Sequence, residues 1–504
     1  MTRLSLLIPL LLALLSCRKY IASELPERHI IVLDAGSTGS RIYVYKYDRA
    51  FPLETIVEVA HMRVNPALST FVGNSAGLTT QLNSLVEFAM TITPAASWAD
   101  TDISLKATAG LRSMNGSDQE YLMAATVSVL ENSVFSCDPR NTKVLSGEEE
   151  ALFDVLAVTA LFQSYKEGFV SLGAADMGGS SQQIAFLFTD EANSSSSSSS
   201  GWRSDSTQRV EVDIEQTGDM HQEPIIGAIT GTGKCSPDWR LSIPDTEEKV
   251  NIYAKSMEYM GLIAAMDSVL DRFYANQTIC PADSRQVSHP DIRLLDNASR
   301  DDESDRPHSN HRTNSNDSPD DTGNSVTLAV ACEAPLHPCL PDGEFVEVPG
   351  FAGHPQPLYG LGDFEKCHQL LKAVLVPQAQ LTVDLECIKA HRPKVMVGMD
   401  NYPKVLEMLG IGQGVSVAPE EIRRKAIEVC RRPWKELLAD YPGFMPYRAQ
   451  RACFGATYVF SMLVDVYGIE EGDKEGFLPV DSVGEHELSW ALGAAVFSAM
   501  ELQV

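Results

Sequence analysis

The sequence predicts an α/β fold of two related lobes facing each other across a cleft. Three observations lead there. The chain has 504 residues, which at about 150 residues per domain leaves room for two to four domains. Short apolar strands alternate with helical periodicity. One strand-turn-strand unit occurs twice. Hydrophobic residues make up 44% and charged residues 21%, a globular composition that excludes a collagenous, wholly disordered or polytopic membrane chain. With 40 basic against 68 acidic residues the net charge is −28, too acidic for a protein that holds nucleic acid through a broad phosphate-neutralising surface. Any phosphate ligand must be held locally or through a metal ion.

Taken in order, Met1-Thr2-Arg3 and the apolar run Leu4 to Ser16 have the layout of a secretory signal, and the run is too short to span a bilayer comfortably. We read residues 1–22 as a signal peptide and the mature chain as soluble, without a transmembrane anchor, secreted or in the secretory-pathway lumen. An uncleaved anchor and a lipoprotein cleavage site at Cys17 are the alternatives. Glycosylation acceptors begin at Asn115, Asn193, Asn276, Asn297 and Asn316, in keeping with export. Of ten cysteines, Cys235, Cys280, Cys332, Cys339, Cys367, Cys387, Cys430 and Cys453 lie beyond residue 230. An even number in an exported chain predicts disulfides whose pairing the sequence does not fix, with Cys137 left over as a buried thiol.

Strands are expected at Ile30 to Leu33, Ile42 to Tyr47, Ile103 to Ala107 and Ile184 to Phe188. Helices are expected at Thr80 to Met90, Glu150 to Phe162, Val250 to Tyr274 and Ala452 to Tyr467. The serine-rich stretch 191–223 and the acidic, polar stretch 281–325 lack the apolar residues to offset the entropy of ordering, and we treat them as insertions in surface loops. The expected division is an N-terminal lobe of 23–145 plus 485–504 and a C-terminal lobe of 146–484.

Ile31 to Tyr43 aligns without gaps to Gly173 to Ala185. Each copy is a strand ending in Asp (Asp34, Asp176), a small-residue turn and a second strand. Gly lets the backbone approach a ligand, and consecutive turn N–H groups with Ser and Thr hydroxyls form an anion cradle. Gly36, Ser37, Thr38, Gly39, Ser40 and Arg41 in one copy, and Gly178, Gly179 and Ser180 in the other, are therefore candidate phosphate-binding residues. A carboxylate beside such a cradle would repel phosphate unless a divalent cation lay between them. Mg²⁺ or Ca²⁺, held by Asp34 and Asp176 through water, meets that need. Either hairpin alone reads as an ordinary Gly-rich turn; two matching copies favour the phosphate reading.

Between the copies, Lys106-Ala107-Thr108-Ala109-Gly110-Leu111-Arg112 follows a strand and opens a helix. Thr108 offers a hydroxyl and Arg112 a positive fork for phosphate, although Arg112 fits a carboxylate partner equally well. Ser146 and Glu149 have the spacing of a helix capping box. Glu150 is not needed for that box and points about 100° further round the helix. It is either a helix-dipole partner or a general base that takes a proton from an attacking water.

Asp34-Ala-Gly-Ser-Thr-Gly-Ser-Arg41, Ala107-Thr-Ala-Gly-Leu-Arg112, Ser146-Gly-Glu-Glu-Glu150, Asp176-Met-Gly-Gly-Ser-Ser-Gln-Gln183 and Ser489-Trp-Ala-Leu-Gly493 together resemble the five conserved regions of the ectonucleoside triphosphate diphosphohydrolases, or apyrases, in the family's order. Cys453 to Phe460 also looks like a family segment. The resemblance implies two ribonuclease-H-like, actin-like lobes with the active site in the inter-lobe cleft. It implies Mg²⁺ or Ca²⁺ dependence and hydrolysis of nucleoside tri- and diphosphates to monophosphates without a phosphoenzyme. Carried over by position, Glu150 is the base, Ser181 and Gln183 place the water, and Asp34 and Asp176 hold the hydrated metal. The phosphate loops with Thr108 and Arg112 hold the anion, and Trp490 is structural. The oligomeric state is not legible.

One departure stands out. The family's usual Gln-Glu-Glu-Gly is Glu148-Glu149-Glu150-Ala151 here, a form that also looks like exopolyphosphatases and keeps polyphosphate as a rival substrate. A kinase-type or heat-shock-type ATPase on the same lobes, and a non-enzymatic exported nucleotide-binding module, are the other rivals. Tyr402, in Met399 to Pro403, is the one candidate considered for base recognition.

Overall fold

Side-chain parity along the central strands decides where the cleft can form. The computed structural model describes residues 27–49, 55–165, 172–188, 213–216, 235, 237–242, 249–275, 336–348, 356–440, 449, 451–484 and 486–500. The expected signal, the serine run, the stretch 281–325, Cys280, Cys332 and four of the five glycosylation acceptors lie outside these residues. The fifth, Asn115, is exposed and caps a helix.

Strands β1 (Glu27–Ala35), β2 (Ser40–Asp48), β3 (Val57–Val64), β4 (Asp102–Ala107) and β5 (Lys143–Val144) form a sheet in the order β3-β2-β1-β4-β5. A second sheet contains β6 (Leu172–Met177), β7 (Ser181–Phe188), β8 (Asp213–Gln216), β9 (Trp239–Ser242), β10 (Lys249–Glu258), β11 (Val395–Asp400) and β12 (Phe477–Pro479), in the order β12-β11-β6-β7-β10-β9-β8. The repeat seen in the sequence is a repeat of topology. β1 pairs antiparallel with β2 and parallel with β4; β6 pairs antiparallel with β7 and parallel with β11.

Helices α1 (Ser75–Ile92) and α2 (Gly116–Glu131) cover the outer face of the first sheet. Between the sheets lie α3 (Gly147–Tyr165) and α9 (Trp490–Ala499). The outer face of the second sheet is covered by α4 (Leu262–Ala275), α5 (Phe364–Ala379), α6 (Asn401–Met408), α7 (Pro419–Cys430) and α8 (Ala452–Ser461). The result is the expected two-lobed α/β fold, with one helical layer shared by both lobes.

Central strands buried on both faces read as continuous apolar runs. Ile31, Leu33 and Ala35 pack outward against α1 and α2, while Ile30 and Val32 join the inter-sheet core. In the second sheet Ile184 and Phe186 pack outward and Ala174 and Ala185 inward. Because strand side chains alternate faces, Asp34 shares the inward parity of Ile30 and Val32, and Asp176 that of Ala174. The two acids therefore point from opposite sheets toward the layer that holds α3.

Two expectations are corrected. Val250 to Tyr274 is not one helix but β10 followed by α4. Asn251 to Ala254 are all buried, so this segment has no polar face by which period could separate strand from helix. Within 191–223, Asp213–Gln216 is an edge strand paired with β9; backbone pairing does not require the apolar side chains whose lack suggested a loop. Disulfides join Cys235 to Cys387, Cys339 to Cys367 and Cys430 to Cys453, and Cys137 is free and partly buried. Among the described residues no helix is long and apolar enough to cross a membrane.

Candidate active site

A cleft of about 270 Å³ opens between the sheets. The first hairpin enters it where β1 ends. Asp34, Gly36, Ser37, Thr38 and Arg41 line the cleft, and the turn closes through Gly36 N–H donating to the Gly39 carbonyl at 3.0 Å. The loop rests on the Thr108–Arg112 turn: a Cβ at Gly110 would stand 2.7 Å from Ser37 Cα. Thr108 lines the cleft beside it. Gly39 and Ser40 are not among the lining residues. A Cβ at Gly39 would meet Asn65 Oδ1 at 2.4 Å, and Ser40 is fully buried. Glycine at 39 permits that close approach, and Ser40 Oγ is buried without a hydrogen-bond partner.

The second hairpin brings Asp176, Gly178, Gly179, Ser180 and Ser181 to the same cleft. Its loop is seated on the start of α4, where Leu262 N–H donates to Gly178 O at 2.9 Å and Ile263 N–H to Gly179 O at 3.0 Å. A Cβ at Gly261 would lie 2.4 Å from Ser180 N, so glycine permits this approach. A Cβ at Gly179 would lie 3.4 Å from Ser37 Oγ; the two loops meet across the gap.

Glu150 projects from the first turn of α3 and lines the cleft between them. The capping box forms as the spacing predicts. Glu149 N–H donates to Ser146 Oγ at 3.1 Å and Ser146 N–H to Glu149 Oε2 at 2.9 Å. Glu150 is thereby left free of capping. Its Oε2 accepts from Arg112 Nη1 at 2.8 Å and Gln183 Nε2 at 3.3 Å. Gln183 Nε2 also contacts Ser181 Oγ at 2.9 Å and Ser256 Oγ at 3.0 Å. Burial pushes the Glu150 carboxyl up to about 7; Arg112 opposes this, and Glu258 and Asp34 add to it. A carboxylate titrating near neutrality is matched to proton abstraction at physiological pH.

Arg112 and Gln183 stand behind the cleft wall, outside the lining residues. Arg112 is occupied by carboxylates, Glu150 on one side and Glu258 Oε1 on the other at 2.9 Å. Its guanidinium nitrogens face Glu150 and Glu258 in this structure, the carboxylate pairing that the sequence left open beside the phosphate one. Trp490 belongs to the inter-sheet core and its surface also reaches the cleft. Tyr402 is fully buried with its hydroxyl bonded to Gln182, so it is not available to stack on a base.

Asp34 Oδ1 and Asp176 Oδ1 are buried without a hydrogen-bond partner, an arrangement that is costly unless positive charge arrives. Burial raises the Asp34 carboxyl to about 6, with Arg41 opposing through a 3.4 Å contact and Asp400 adding to the rise. Burial and then Asp400 and Glu150 push Asp176 well above the usual carboxylate range. The two oxygens fit a divalent cation. Among the described residues no three His, Cys, Asp or Glu side chains cluster closely enough to cage one, so waters and ligand oxygens would complete its shell.

Sequence reading missed several residues here. Asp400, with φ +52, ends β11 and pairs with Lys404; both line the cleft. Arg63 donates to Thr38 Oγ1 at 3.1 Å from β3. Arg41, Arg63, Lys404 and Arg451 supply positive charge along the lining of an otherwise acidic chain. Asp154, one turn after Glu150, is buried with both oxygens unpartnered, and burial, with Asp176 and Glu150 nearby, pushes its carboxyl well above the usual range. No local motif marks these positions.

A model of the GDA1/CD39 (nucleoside phosphatase) family matches residues 21–213 and 330–503. Probable apyrase 4 of Arabidopsis thaliana is 23% identical over 490 residues, covering 93% of this chain and 78% of that protein. A guanosine-diphosphatase of Saccharomyces cerevisiae is 31% identical over 167 residues, 32% of this chain and 32% of that protein. The crystal structure of nucleoside triphosphate hydrolases from Neospora caninum shares the fold, covering 99% of this chain and 97% of that one with a TM-score of 0.58 at 11% identity. With the family match extending over both hairpins and the helices that join the two sheets, the chain belongs to the GDA1/CD39 (nucleoside phosphatase) family and is a hydrolase of nucleoside phosphates.

Proposed function

We propose that this chain hydrolyses nucleoside tri- and diphosphates to monophosphates by in-line attack of water on the terminal phosphorus, in an exported compartment and with Mg²⁺ or Ca²⁺ bound. The observation that carries this reading is Glu150, held by Arg112 and Gln183 in the same cleft as two facing Asp-tipped hairpins. The turn N–H groups and hydroxyls of Ser37, Thr38 and Ser180 cradle phosphate oxygens. Ser181, which lines the cleft, and Gln183, which reaches it through its contacts with Ser181 and Glu150, together place the water. Glu150 accepts its proton as the new P–O bond forms and the bridging P–O bond breaks. Asp34 and Asp176 face the position a hydrated cation would occupy; when bound, it would neutralise the phosphate chain. The three disulfides support an oxidising compartment.

The test is phosphate release from ATP, ADP, AMP and polyphosphate with Mg²⁺, Ca²⁺ or chelator. Release from ATP and ADP but not AMP, abolished by chelator, is expected. Release from polyphosphate alone would transfer the reading to an exopolyphosphatase, which the Gly147-Glu-Glu-Glu-Ala151 motif keeps in play.

A further inference from the structure

Gln182 stands between two residues of the proposed site, Ser181 and Gln183, yet the alternation of β7 turns it the other way, toward the outer core with Ile184 and Phe186. It is wholly buried. Both donors of its amide and one of the two acceptor positions on the oxygen are used. Nε2 donates to the hydroxyls of Tyr402 and Tyr467, and Oε1 accepts from Tyr458 OH at 3.1 Å. The hydroxyls of Tyr402 and Tyr467 are 3.0 Å apart, and Tyr458 OH also reaches the Met260 carbonyl. All three tyrosines are fully buried.

The partners come from distinct parts of the second lobe, and two of them, Tyr402 and Tyr458, lead back to the cleft. Tyr402 lies on α6, directly after cleft-lining Asp400 and Asn401, and Asn401 Nδ2 donates to Met177 O at 2.7 Å. Met260 precedes Gly261, whose N–H donates to Ser180 O at 3.1 Å. Tyr458 lies on α8, and Tyr467 follows the π-helical turn Met462–Val466. The one Tyr458 O–H is shared between Gln182 Oε1 and the Met260 carbonyl, and a buried polar network of this kind favours one arrangement, because a shift strands a donor or acceptor away from water.

We propose that Gln182 and its three tyrosines form a clasp beneath the second phosphate loop that sets the position of Ser181 and Gln183 relative to Glu150. Gln182 is a positioning residue: it touches no reacting atom and acts through its two neighbours in sequence. The inference rests on the reading of Ser181 and Gln183 as water-placing residues. A displacement of their side chains by a fraction of an ångström weakens alignment of the water while leaving the phosphate cradle largely in place, so the loss falls on kcat.

The experiment uses the full chain with saturating Mg²⁺ and ATP or ADP, at a temperature where circular dichroism shows every variant fully folded. Tyr402→Phe and Tyr467→Phe each leave Gln182 Nε2 one partner and are expected to keep kcat within about threefold. The double variant is expected to lose on the order of tenfold in kcat, more than the product of the singles, with nucleotide KM within about threefold. A folded double variant with wild-type kcat overturns the proposal, as does a loss confined to KM. If the double variant does not fold, Tyr458→Phe decides: lower kcat at constant KM supports the clasp, and unchanged kcat refutes it. Wild-type protein that releases no phosphate from ATP or ADP would refute the underlying functional reading instead.

Discussion

Arg112 holds Glu150 through a 2.8 Å contact from Nη1 to Oε2, and both side chains are largely buried. Its second guanidinium nitrogen reaches Glu258 Oε1 at 2.9 Å and Ser181 Oγ at 3.3 Å. One planar fork thus links the proposed base, a residue proposed to orient the water and a carboxylate from the end of β10. The positive charge keeps Glu150 ionisable in a site whose burial favours its neutral form.

If Glu150 is the base, Glu150→Gln removes proton abstraction while keeping shape and the ability to accept from Arg112. The expected loss is on the order of 10²- to 10⁴-fold in kcat, with a melting temperature at pH 8 no lower than wild type, since a buried acid has been replaced by a neutral amide. Phosphate release and a thermal melt on the same preparation check both halves. Wild-type turnover would remove Glu150 from the chemistry.

Arg112→Ala leaves Glu150 and Glu258 facing the space the guanidinium occupied. Removing one partner of a buried pair typically costs about 3 kcal/mol or more. Without the opposing charge the Glu150 carboxyl rises further, so the acid limb of the kcat/KM profile moves to higher pH. The deficit is therefore larger at pH 7 than at pH 8.5. Arg112→Lys recovers only part, because an ammonium cannot bridge Glu150 and Glu258 as a planar fork does. An unshifted acid limb in Arg112→Ala would separate Arg112 from the ionisation of Glu150.

Buried acids make metal-free stability fall as pH rises, against a smaller opposite contribution from His337, whose pKa burial lowers to about 4. Asp34 moves from an ordinary value of 3.8 to about 6 and Glu150 from 4.5 to about 7. Between those limits the folded chain holds protons that the unfolded chain has released, so these groups lower stability as pH rises, from about 4 to about 6 for Asp34 and on to about 7 for Glu150. Asp176 and Asp154, both raised well above their ordinary values by burial, extend the decline upward. Chelator-treated protein should melt at a higher temperature at pH 5 than at pH 7.5, and added Mg²⁺ should narrow the gap by pairing with ionised Asp34 and Asp176. A chelator-treated protein that melts higher at pH 7.5 would contradict this account.

What the sequence could disclose about the site was what lies within one turn or one hairpin. Asp34 and Asp176 were legible because strand, acid and small-residue turn are contiguous, and Glu150 because Ser146 and Glu149 account for the cap between themselves. For Arg112 the sequence leaves phosphate and carboxylate partners equally open, because the carboxylates it meets come from positions 38 and 146 residues away, beyond any local pattern. Asp154, Asp400 and Lys404 are marked by no periodicity; only tertiary packing makes an acid buried or a lysine cleft-lining. The same limit explains β10, where apolar residues on two buried faces left nothing to distinguish strand from helix.

The inter-sheet layer offers a test of how packing reaches the chemistry. Gly493, in the last sequence motif, lies where α9 crosses α3: a Cβ there would stand 1.8 Å from the Phe153 carbonyl oxygen. That neighbour is backbone of the helix that carries Glu150, so it cannot rotate away as a flexible side chain could. Gly493→Ala must push the helices apart, at an expected cost of about 1–3 kcal/mol for overpacking, and in doing so shifts α3 relative to Ser181 and Gln183. Both the melting temperature and kcat should fall. Gly116→Ala, at the start of α2 with no atom within 4 Å of a new Cβ, is the matched control and should stay within about 0.5 kcal/mol of wild type. Equal behaviour of the two variants would mean that the close crossing of α3 and α9 is not what holds Glu150 in place.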